Sequence, residues 1–67
     1  MPIAANTMRI GRRYRLINFR ETIEFEVMEA LAEDNFKIRD INILEEMEFQ
    51  DLLRFGTGKD YDLIELT

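Results

Sequence analysis

The chain has 67 residues, of which 46% are hydrophobic and 34% charged, with a formal net charge of −5 and no cysteine. That length holds one small domain, which buries only about 60% of the surface of its unfolded chain. With no cysteine, histidine or serine, the chain cannot build disulfides, zinc sites on thiolate or imidazole, or Ser-His and Cys-His nucleophiles.

In chain order, residues 1–7 read as a flexible N-terminal leader and residues 8–67 as a single domain. Gly11 breaks the chain before the first strand, where Tyr14 and Leu16 share one face and Arg13, Arg15 and Ile17 the other. Residues 18–21 form the first loop. Residues 22–31 carry two periodicities. Ile23, Phe25 and Val27 alternate as in a strand, while Ile23, Val27, Ala30 and Leu31 are spaced as in a helix. The run of β-favouring residues and the turn-forming Asp34 and Asn35 that follow select a strand, bulged near Met28. A third strand spans 36–40, a turn falls at Ile41 and Asn42, and a fourth strand spans 43–48. Residues 50–55 read as a single helical turn, closed by Gly56 in the positive-φ conformation. The last strand spans 61–66. The expected core is Tyr14, Leu16, Ile23, Phe25, Val27, Phe36, Ile38, Met47, Leu52 and Leu63, with Phe49, Phe55 and Tyr61 also at positions that usually mean core.

This rhythm predicts a mostly β fold, a five-stranded small barrel with one short helical turn before the last strand. It resembles the Tudor and SH3-like group of small β-barrels. The resemblance rests on Gly11 before the first strand and on the run Glu45, Glu46, Met47, Glu48, Phe49, Gln50, Asp51, Leu52, which looks like the strand-into-turn that closes a Tudor barrel. The resemblance implies a cage of aromatics from the first loop and the turn after the third strand. Phe19 is the only aromatic in the first, and the second supplies Asp40 but no ring.

Gly56, Thr57, Gly58 and Lys59 suggest a phosphate loop, but the first glycine of that motif is replaced by Leu53 and the hydroxyl residue by Asp60. No catalytic, cofactor or metal residues are assigned, and the 14 carboxylates read as a solvated acidic surface. Charge is unevenly distributed: residues 1–20 carry +5, all arginine, and residues 21–67 carry −10. Arg12, Arg13, Arg15 and Arg20 are therefore candidate anion or nucleic-acid contacts. The competing reading pairs Arg13 and Arg15 with Glu24 and Glu26 on the next strand. Apolar Ile41 and Ile43 in a turn, with Phe19, make a candidate partner-binding face. The expected function is a non-enzymatic interaction domain binding another protein or itself as a weak homodimer, with nucleic-acid binding through the arginines as the alternative. No apolar run approaches the roughly 20 residues of a membrane span, so the expected location is cytoplasmic.

Overall fold

A computed structural model describes residues 2–66. Met1 and Thr67, which end the expected leader and domain, lie outside the described residues. Five antiparallel strands form one sheet: β1 (Arg13–Asn18), β2 (Glu21–Ala32), β3 (Asn35–Asp40), β4 (Glu46–Glu48) and β5 (Asp62–Leu66). Their order is β4-β3-β2-β1-β5, so the first strand sits between the second and the last. A 3-10 turn (Phe49–Leu53) joins β4 to the connector before β5, and a second 3-10 turn (Ala5–Thr7) precedes β1. Neither helical segment is long and apolar enough to cross a membrane.

Alternation sets the two faces of the sheet. Tyr14, Leu16, Phe25, Val27, Phe36, Ile38 and Leu63 are buried on the inner face, as period-two strands require. Tyr14 stacks on Phe25 with ring centroids 6.0 Å apart, and Phe49 meets Phe25 at 5.9 Å. Aromatic pairs at these separations stabilise beyond their buried area. Two register shifts against β3 fall in β2, one between Val27 and Glu29 and one between Ala30 and Ala32. The first places a bulge at Met28, where the sequence put it.

Several sequence expectations are corrected. Within the expected leader, Ile3 and Ala5 touch the domain while Ala4, Asn6 and Thr7 are exposed. Ile3 N–H donates to Leu63 O at 2.9 Å, Ile3 and Ala5 lie against the core, and Met8 is buried. Arg9 N–H donates to the Tyr14 hydroxyl at 2.8 Å, which ties this segment to the core aromatic. β4 is three residues rather than six, because Asp40 winds residues 41–45 into a turn. Its Oδ1 accepts from Asn42 N–H at 2.7 Å and from Ile43 N–H at 3.3 Å. Its backbone bonds Leu44 N–H and Glu45 O. The helical turn starts at Phe49 and ends at Leu53. Phe49, at its first position, joins the core, whereas Ile23, Met47 and Leu52 are only partly buried. Phe55 points away, 81% exposed.

Candidate functional site

The β1–β2 turn is unusual in its chemistry. Its central residues, Phe19 (φ 50°) and Arg20 (φ 65°), both take the left-handed conformation. A two-residue hairpin favours that geometry, but normally with glycine or asparagine. Here distant residues impose it. The Asp60 carboxylate accepts from Phe19 N–H at 3.0 Å and from Arg20 N–H at 2.7 Å. Beside it, the buried Asn18 side chain donates to Gly56 O at 3.0 Å and accepts from Gly58 N–H at 2.7 Å. The Phe19 ring lies so close to Gly58 that an added Cβ would come within 3.0 Å of it. Strain held in place by surrounding structure is a recurrent property of binding sites.

The clamp aims Phe19 over a cleft of about 410 Å³, lined by Asn18, Phe19, Glu21, Asp51, Leu52 and Phe55. A smaller cleft of about 110 Å³ continues it, sharing Asn18, Glu21 and Leu52 and adding Leu16, Thr22 and Ile23. Its walls thus come from the β1–β2 turn, the 3-10 turn and the connector. Phe19 is 51% exposed, and Arg54 stands 5.9 Å from the centre of the Phe55 ring. The sequence puts Phe19 on a candidate partner face and Leu52 and Phe55 at core positions, whereas all three line this cleft. Gly56, which turns the chain just after Phe55 at φ 86°, was the available signal.

The other predicted partner residues lie apart from this groove. Ile41 and Ile43 line neither cleft. Ile41 N–H instead bonds Glu24 O at 3.0 Å, in the turn between β3 and β4. Ile43 is exposed, and its neighbour Leu44 adopts φ 61°.

The arginines lie mostly on the outer face, in a row of alternating charge. Arg13 faces Glu26, Glu26 faces Arg39 and Arg39 faces Glu46 across four neighbouring strands. Arg15 grips Glu24 through Nε at 2.9 Å and Nη2 at 2.8 Å. Arg13 approaches Glu26 at 3.8 Å and Arg12 approaches Glu65 at 3.9 Å. Lys37 and Arg39 both reach Glu46, at 3.2 and 3.4 Å. These two cations, Lys37 foremost, hold the Glu46 carboxyl below the usual glutamate value. Arg20 lies in the strained turn and has no ion pair among the described residues. No family model, curated protein or solved structure matches the chain.

Proposed function

We propose that the chain is a small non-enzymatic interaction domain, working in the cytoplasm, that binds a segment of another protein in the groove between Phe19, Leu52 and Phe55. The observation that carries this reading is the clamp on the β1–β2 turn. A strained backbone is fixed by two side chains, and the result is an exposed aromatic over a cleft. Exposed apolar clefts rimmed by polar residues mark contact sites more often than chance. The sheet order, with β1 between β2 and β5 and a 3-10 turn before β5, supports an SH3-like barrel of the Tudor-resembling kind, a fold group that hosts many binding functions.

The alternative, nucleic acid on the arginine face, draws less support. Arg12, Arg13 and Arg15 each face a glutamate, and a net charge of −5 opposes a polyanion at long range.

Affinity capture from cell extract followed by mass spectrometry tests the reading. Phe55→Asp and Phe19→Gly serve as groove variants, and Arg13→Gln as a control on the opposite face. A specific protein lost with both groove variants and retained with the control supports it. A captured set identical for all three, or dominated by nucleic acid, overturns it.

A further inference from the structure

β2 has a strand on both sides from Phe25 to Val27, whereas its first residues pair with β1 and its last five with β3. The β1 ladder ends at the Arg13 and Glu26 pair. Gly11 N–H and Arg12 O extend it by one residue, to Val27. Gly11, at φ 86°, then turns the chain away. Residues 28–32 (Met, Glu, Ala, Leu, Ala) pair only with β3, and none of the turn or loop backbone hydrogen bonds among the described residues reaches them. Charge, proline or a bulge can block an open strand edge, which otherwise recruits another strand; here two register shifts against β3 flank Glu29 and Ala30. This edge carries a single charge, Glu29, in a chain that is 34% charged.

We propose that this edge pairs with the same edge of a second copy, antiparallel about Ala30. Two features fit a second copy. The first is register. Centring the two-fold axis at Ala30 sets Met28 against Ala32 and Glu29 against Leu31, so no like charges stand directly opposite. The vacant flank and the segment that fills it are then the same five residues. The second is charge. One end of the vacant flank is basic, with Arg9 and Arg12 on either side of the Gly11 turn. Both are exposed, and Arg9 has no ion pair among the described residues. The other end is the exposed acidic turn of Glu33 and Asp34. Antiparallel pairing brings the acidic turn of each copy to the basic turn of the other, twice over. It also covers Ile10, a large apolar side chain left exposed beside the Gly11 turn. The contrast between the basic first twenty residues and the acidic remainder thereby gains a use in self-recognition.

Sedimentation of the full chain across a concentration series, at low and high salt, tests the pairing. Two charge variants are compared, Arg9→Glu with Arg12→Glu, and Glu33→Lys with Asp34→Lys. Circular dichroism melts show whether each is folded. The wild type is expected to dimerise reversibly, more weakly at high salt. Each charge variant alone should need at least about tenfold more protein to dimerise, and an equimolar mixture of the two should recover wild-type assembly, since every junction again joins opposite charges. Ala30→Lys, which sets two lysines against each other at the axis, should remain monomeric. Hydrogen exchange should slow at residues 28–32 as the wild type associates. A wild type that stays monomeric up to about 1 mM, or a mixture no better than its components, overturns the proposal. So does an Ala30→Lys variant that still dimerises.

Discussion

One carboxylate, that of Asp60, fixes the backbone of Phe19: its Oδ1 accepts from Phe19 N–H at 3.0 Å, forty-one residues away in the chain. The partner bond to Arg20 N–H at 2.7 Å uses the other oxygen, so the two amides of the strained turn are satisfied by one side chain. Replacing Asp60 with alanine should lower stability by about 1–3 kcal/mol, because charge-assisted bonds to two amides are lost. Arg20→Gly should act in the opposite sense, by up to about 1 kcal/mol, since glycine takes positive φ without a steric penalty. Urea denaturation of the two single variants measures both.

The outer face makes a graded prediction. Arg15 holds Glu24 through two short contacts, whereas Arg13 and Glu26 stand at 3.8 Å. Glu24→Gln should therefore destabilise more than Glu26→Gln, with both between a few tenths and about 1 kcal/mol and both smaller at high salt. A double-mutant cycle at each pair isolates the coupling.

Glu46 sets an acid response. Its carboxyl is held below the ordinary glutamate value by the Lys37 and Arg39 side chains. A depressed folded value means that the contribution is complete above the unfolded glutamate value and is lost as pH falls through the folded one. Glu46→Gln should flatten that part of the acid limb in a series of denaturant titrations. Tyr61 has the reverse sign at alkaline pH. Burial, then the neighbouring Asp62 charge, raises its phenol. Its contribution is complete below the unfolded tyrosine value and is lost as pH rises through the folded one. Tyr61→Phe should remove that loss.

The core prediction is larger. Phe25 is fully buried between Tyr14 and Phe49, and Phe25→Ala should cost about 3–5 kcal/mol. That is comparable with the whole stability of a domain this small, so the variant should be largely unfolded by circular dichroism. Tyr14→Phe keeps the ring and loses only the acceptor for Arg9 N–H. It should cost about 1 kcal/mol and raise hydrogen exchange at Arg9.

The strands were legible where one rule governed them. Tyr14 and Leu16, Phe25 and Val27, and Phe36 and Ile38 alternate strictly, and each pair is buried on the inner face. The pairing of Arg13 and Arg15 with Glu26 and Glu24 followed from the same alternation. What escaped the sequence depended on partners far along the chain. Nothing in the order Asn18, Phe19, Arg20, Glu21 announces a positive-φ turn, because Asp60 and Gly58 supply the constraint. Met8 is buried only because residues 3–8 fold back onto the sheet. Asp40 was a missed local signal, since aspartate at the end of a strand readily bonds the amides that follow it. Phe55 was misassigned because an aromatic in a small domain usually means core, whereas this one follows the 3-10 turn at a position facing solvent.

The place of β1 between β2 and β5 governs the order in which the sheet can form. β1 is the first of the described strands, yet one of its two neighbours, β5, is the last of them, and Ile3 N–H donates to Leu63 O on that same strand. The β2–β3 hairpin can close from local contacts, but β1 and Ile3 complete their pairing with residues far along the chain. Docking of β5 should accordingly be the slow, non-local step of folding.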